Sequence, residues 1–196
     1  MERKAKVSRR TKETDIYLKI NLDGSGIANI KTGIPFLDHM LNLFTSHGFI
    51  NMDLDATGDL EIDDHHTVED IGICIGKGIK GSLEDMKGIR RYGEAIIPMD
   101  EALARVVMDI SNRPLLAYRV DIKKQMSGNF DIGLLKEFFR ALVINAGLTM
   151  HIDLLAGEEP HHVAEVIFKA FARALNQATS QEPRLEGAIP STKGVL

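Results

Sequence analysis

Asp64-His65-His66-Thr67-Val68-Glu69-Asp70 and His161-His162-Val163-Ala164-Glu165 carry one pattern, His-His-x-x-Glu, twice, just under 100 residues apart. Each copy leads into apolar residues at helical spacing: Ile71, Cys74, Ile75 and Ile79 after the first, Phe168, Phe171 and Leu175 after the second. The chain has only seven histidines in 196 residues. A doublet that returns with its carboxylate at the same spacing therefore points to a duplicated unit.

Working outward, both halves show the same order of elements. In the first, 14–20 alternates, Asp23-Gly24-Ser25-Gly26 breaks it and 27–30 resumes, which predicts strand, tight turn, strand. Residues 35–44 follow with helical spacing and Gly48 as the expected C-cap. A short alternating strand over 51–56 and a helix over 68–80 complete the half. In the second, strands are expected over 95–99, 102–110 and 115–120, a helix over 131–146 stopped by Gly147, a strand over 148–155, and a helix over 163–178. Gly48-Phe49-Ile50 echoes Gly147-Leu148-Thr149, and Asp53-Leu54 echoes Asp153-Leu154. The expected fold class is α+β: a tandem repeat, residues 1–90 and 91–196, with helices covering one face of a mostly antiparallel sheet in each unit.

Composition narrows the function. A hydrophobic share of 44% over this length buries a substantial core. A net charge of −4 and the lack of tryptophan argue against nucleic acid as a partner. Met1-Glu2-Arg3-Lys4 opens a polar segment with no signal-like apolar run, and no stretch approaches the roughly 20 apolar residues of a membrane span. A single cysteine, Cys74, excludes an intrachain disulfide. The expectation is a cytoplasmic protein that binds neither membrane nor nucleic acid.

Imidazole nitrogen and carboxylate oxygen together suit a borderline divalent ion, and residues three or four apart on a helix share a face. His65 with Glu69, and His161 with Glu165, can therefore reach one ion each. His66 and His162 point about 100° away, so they are free to serve a second ion. The spacing predicts two metals that draw on both halves; manganese, iron, zinc and nickel all fit. His39 is a further candidate, whereas His47 reads as a helix-end histidine and His151 as structural. For an anion, Arg90, Arg91, Arg113, Lys169 and the tail Pro190-Ser191-Thr192-Lys193-Gly194 offer guanidinium, ammonium, hydroxyl and backbone donors.

These motifs closely resemble the imidazoleglycerol-phosphate dehydratase family. The resemblance runs from Arg9-Arg10-Thr11-Lys12-Glu13-Thr14 to the end, through Gly33-Ile34-Pro35-Phe36-Leu37-Asp38-His39-Met40, the first histidine motif, Ser111-Asn112-Arg113-Pro114, Gly157-Glu158, His161-His162, the run from Phe168 to Leu175, and the tail. It implies a duplicated four-stranded unit of the ribosomal protein S5 domain 2 type. It also implies dehydration of D-erythro-imidazole glycerol phosphate to imidazole acetol phosphate and water in histidine biosynthesis, two divalent ions (manganese foremost), and trimers assembled into a 24-mer homo-oligomer.

By the same resemblance, His39, His66, His161 and Glu165 hold one ion. His65, Glu69, His162 and a residue on the long second-half helix hold the other. That last residue is usually histidine in the family; here the matching stretch is Lys136-Glu137-Phe138, so Glu137 stands in its place. Asn112 likewise replaces a common glycine. The resemblance assigns substrate contacts to Glu13, Arg91, Arg113, Lys169, Ser191, Thr192 and Lys193, with Glu13 as general acid/base supplied by a neighbouring chain. Two other readings remain against it: an assembly protein merely stapled by metal, and a metal-dependent phosphatase.

Overall fold

The computed structural model describes residues 3–195; Met1 and Glu2 of the polar opening lie outside them. Two four-stranded sheets share one topology. The first comprises β1 (Lys4–Arg10), β2 (Thr14–Asn21), β3 (Ala28–Lys31) and β4 (Asn51–Gly58), in the order β1-β2-β4-β3. The second comprises β5 (Tyr92–Met99), β6 (Ala102–Ile110), β7 (Leu115–Arg119) and β10 (Leu148–Ala156), in the order β5-β6-β10-β7. In each sheet three strands are antiparallel and the last is parallel to its neighbour. Leu18 pairs with Leu54 in the first sheet where Val106 pairs with Ile152 in the second. The expected α+β duplication is therefore present strand for strand.

β1 did not announce itself in the sequence. It is an edge strand whose inward side is Ala5, Val7 and Arg9, all only half-buried, while Lys4, Lys6, Ser8 and Arg10 face out. Such a charged edge resists pairing with other chains but weakens the apolar alternation that marks a strand. The expected hairpin at Asp23–Gly26 is corrected. β3 does not pair with β2; it runs parallel to β4 and reaches it through a helix. The Asn51 side chain accepts from the backbone N–H of Ser25 and of Ile27, at 2.8 and 2.9 Å. A Cβ at Gly24 would stand 2.4 Å from the Asn51 nitrogen. The glycines there serve close approach of backbone to backbone, not a reversal of the strand.

Four α-helices follow: α1 (Pro35–Gly48), α2 (His65–Leu83), α3 (Leu134–Ala146) and α4 (Pro160–Thr179). Proline at the first turn of α1 and α4 suits a position with no hydrogen bond to lose. Both histidine doublets thus open their helices, earlier than apolar periodicity alone suggested. α3 starts three residues later than expected, because Phe130–Asp131 (β9) pairs with Met126–Ser127 (β8). Gly48 is not the C-cap of α1. Phe49 takes the left-handed conformation at φ 55° and donates its N–H to the Thr45 carbonyl. Its counterpart after α3 is Gly147 at φ 72°, which donates to Val143. The true register therefore sets Phe49 on Gly147 and Leu54 on Ile152, and corrects both expected echoes.

The helices of one repeat pack on those of the other, α1 against α4 and α2 against α3, so one apolar core runs through the molecule. Phe44 of α1 stacks on Phe171 of α4 with ring centroids 5.0 Å apart. α2 approaches α3 through Gly72 and Gly76, where a Cβ would lie 2.5 Å from the Phe138 and the Leu142 carbonyl oxygens respectively. No helix among the described residues is long and apolar enough to cross a membrane. Gly76→Ala should force α2 off α3 and cost about 1–3 kcal/mol, read as a lower midpoint of chemical unfolding; an unchanged midpoint would contradict this packing.

Candidate metal centre and anion cradle

The pairing of α1 with α4 sets the first cluster. His39 comes from the second turn of α1, and His161 and Glu165 from the start of α4. His39 Nε2 lies 2.9 Å and His161 Nε2 3.1 Å from the same oxygen, Glu165 Oε1. Three ligand atoms lie within 4.8 Å of one another, the one such group of three among the described residues. Ligands at about 2.0–2.2 Å from a divalent ion stand roughly 3–4 Å from each other, so this donor set fits one. The aromatic wall helps fix it. Phe36 stacks on Phe130 at 4.9 Å and meets the His161 ring edge-on at 5.4 Å. A pocket of about 550 Å³ opens there, with His39, His161, Asp64 and Phe36 in its lining.

Glu165 is buried, and its other oxygen accepts from Lys169 Nζ at 2.7 Å. Burial alone would raise its pKa; the bonds from Lys169, His39 and His161 overcome that and bring it down to about 2. The carboxylate is thus ionised across the physiological range, as a ligand must be. Lys169, grouped with the anion set on sequence, turns instead to this carboxylate and to the Met99 sulfur at 3.2 Å.

α2 and α3 carry the mirror image. His65 Nε2 stands 3.6 Å from Glu69 Oε2. Glu137 lies in the first turn of α3, ten residues before its left-handed cap, as His39 lies ten residues before Phe49. The duplication thus places Glu137 where His39 stands in the first cluster. Its carboxylate is turned to Arg140, 2.7 Å away. The second histidine of each doublet joins neither cluster. His66 Nδ1 lies 3.0 Å from Asp59 Oδ2 and His162 Nδ1 lies 2.7 Å from Glu101 Oε2. The carboxylate bond raises the pKa of each ring, and Glu101 falls in turn to about 2.

The anion set converges elsewhere. Arg91, at φ 72°, forks onto Asp109 with Nε at 2.6 Å and Nη2 at 3.1 Å, and donates from Nη1 to the Pro190 carbonyl at 2.8 Å. Arg113 Nη2 lies 3.7 Å from the same Asp109 carboxylate and is largely exposed. Ser191 and Lys193 form the turn just beyond Pro190, where the Lys193 N–H donates to Ser191 Oγ at 3.2 Å and Thr192 is exposed. Arg91, Arg113 and the tail are therefore neighbours, drawn together by Asp109, which the sequence reading missed. Arg90 points away toward Glu182, 4.0 Å distant.

A family model for imidazoleglycerol-phosphate dehydratase matches residues 32–175. The imidazoleglycerol-phosphate dehydratase of Acetivibrio thermocellus is 54% identical and that of Geobacter metallireducens 55% identical, each over the whole of both chains. The chain belongs to the imidazoleglycerol-phosphate dehydratase family. Its fold matches the crystal structure of the Staphylococcus aureus family member with a TM-score of 0.83 at 46% identity, covering 91% of this chain and 99% of that one. The Pyrococcus furiosus structure, a complex with (S)-C348, gives 0.84 at 41% identity, covering 97% of this chain and 100% of that one.

Against the family pattern, Asn112 has a structural reason. It sits at φ 53°, a left-handed position that asparagine tolerates better than other side chains, and its Oδ1 accepts from Lys80 at 3.0 Å. Glu13 is exposed just before β2, and its charge is felt at His66 of the same chain. Arg91→Ala should free the tail from its Pro190 anchor and speed amide exchange over residues 189–194 about tenfold, the worth of one net hydrogen bond. Exchange in β6 should not change. Equal protection of the tail in both proteins would show that Arg91 does not hold it.

Proposed function

We propose that this chain dehydrates imidazole glycerol phosphate to imidazole acetol phosphate, a step of histidine biosynthesis. The observation that carries the reading is the His39–His161–Glu165 cluster in a chain of this family, with an arginine pair and a polar tail to receive a phosphate.

The chemistry explains the need for such a site. The hydroxyl to be lost sits on the carbon next to the ring, and the proton on the following carbon. No carbonyl flanks that proton, so the ring must supply electrons to expel hydroxide. Divalent ions, manganese foremost, held by His39, His66, His161 and Glu165 and by His65, Glu69, Glu137 and His162, would stabilise the ring as its anion. Glu13 takes the carbon-bound proton and serves as the acid that turns hydroxide to water, the same carboxylate alternating between forms. The enol so formed becomes the ketone when a proton adds to the carbon beside the ring and the enol hydroxyl gives its proton up to solvent. Arg91, Arg113, Ser191, Thr192 and Lys193 bind the phosphate, and Lys169 both steadies Glu165 and adds positive charge; together they fix the register of the three-carbon chain.

His66 is bonded to Asp59 and does not join the His39–His161–Glu165 group, so the reading includes completion of each site by a second copy. Trimers assembled into a 24-mer in the cytoplasm are part of the same proposal. In the test, purified protein is given imidazole glycerol phosphate before and after chelation, and ketone and free phosphate are both measured. Ketone that disappears with the metal supports the dehydratase; release of phosphate instead would establish the phosphatase reading, and metal without turnover the stapled assembly. Glu13→Gln should leave metal content unchanged while cutting turnover about 10²–10⁴-fold. Turnover at the parent level would remove Glu13 from its role.

A further inference from the structure

The two histidine doublets differ in what holds their second members, and the difference follows the duplication. His65 and His161 turn Nε2 toward the glutamate one turn on, at 3.6 and 3.1 Å. His66 and His162 are held instead through Nδ1, by Asp59 and by Glu101. A carboxylate can only accept, so Nδ1 carries the proton and Nε2 keeps its lone pair outward. Asp100 approaches His162 Nε2 only to 3.9 Å, beyond hydrogen-bond reach.

The two carboxylates are not each other's counterparts. The bulge in β10 between Leu154 and Ala156 shifts its register by one residue, so Ala156 faces Leu103 as Thr57 faces Asp15; Gly157 is then the counterpart of Gly58, and Glu158 that of Asp59. Glu158 is exposed, and the His162 ring is bonded to Glu101 instead. Glu101, for its part, directly precedes β6 as Glu13 directly precedes β2, and the paired registers of Leu18–Leu54 and Val106–Ile152 superpose the two glutamates. Glu101 also accepts the Glu159 N–H on Oε1 at 3.2 Å, which ties it to the start of α4 beside His162.

We propose that Asp59 and Glu101 are positioning residues for His66 and His162, and that Glu101 is the duplicated counterpart of Glu13 given a different task. In the first repeat Asp59 orients the histidine and leaves Glu13 unengaged, free to move protons. In the second, where the counterpart of that aspartate is the exposed Glu158, the glutamate before the second strand orients the histidine instead. Each carboxylate fixes the ring tautomer and aims Nε2, which strengthens it as a ligand. This inference rests on the metal-binding reading of the two doublets.

The experiment is a Mn²⁺ titration of metal-stripped full-length protein, followed by electron paramagnetic resonance, on the parent, D59A, D59N, E101A, E101Q and E13Q. Asp59→Ala should weaken one class of ion and Glu101→Ala the other, each about 10–100-fold. Asp59→Asn and Glu101→Gln should recover part of the loss, because an amide oxygen still accepts from Nδ1–H, and they keep the fold should the alanine variants unfold. Glu13→Gln should bind both ions as the parent does. Parent-like titrations for all four Asp59 and Glu101 variants would overturn the inference while leaving the metal reading intact; a parent protein that takes up no ion would overturn the metal reading itself.

Discussion

The packing of helices from one repeat against helices of the other is the constraint on which the rest of the molecule depends. A single repeat has a sheet with one apolar face and two helices that cover it, and the outer stripe of each helix is still apolar. Pairing α1 with α4 and α2 with α3 buries those stripes in one core. The same pairing carries His39 across to His161 and Glu165, which no contact within one repeat could do. Stability and site assembly thus share one interface. The glycines at 72 and 76 belong to that interface as much as Phe44 and Phe171 do, because they set how near the helices come.

Electrostatics at the cluster follow from burial. A carboxylate out of water is costly unless paired, and Glu165 is paired three times, by Lys169, His39 and His161. Lysine on one oxygen leaves the other to face both rings. The mirrored position has no such lysine contact, and its third member is a carboxylate, Glu137, engaged with Arg140. The duplicated scaffold therefore carries unequal clusters: one has three side chains already together, while the other has its carboxylate turned to a neighbouring arginine. The anion cradle shows a related economy, since Asp109 orders two arginines at once.

Where local pattern and tertiary context agreed, the sequence was readable. β6 and the Gly147 stop of α3 fell where expected, because alternation and a left-handed cap are local properties. β1 was hidden because its inward residues are small or charged and its partner strand supplies the ordering. The Asp23–Gly26 turn misled because glycine marks close approach of backbones as well as reversals, and only the Asn51 contacts distinguish the two. At the site, helical spacing correctly paired His161 with Glu165 and separated His66 and His162 from those pairs. Asp59, Glu101 and Asp109 left no such trace, since none shares a helix with the group it holds; a loop or strand brings each there.

What the chain determined by itself was the duplication, the α+β class and the candidates for the chemistry, because periodicity, caps and repeated His-His-x-x-Glu patterns are written in neighbouring residues. Only the tertiary structure decided which groups meet. His39 joins Glu165 across 126 residues, Lys169 belongs to that carboxylate, Arg91 and Arg113 share Asp109, and Phe49 rather than Gly48 registers one repeat on the other. Contacts of that range are set by how helices and sheets pack, and packing minimises the exposed apolar surface of the whole chain rather than of any segment in it.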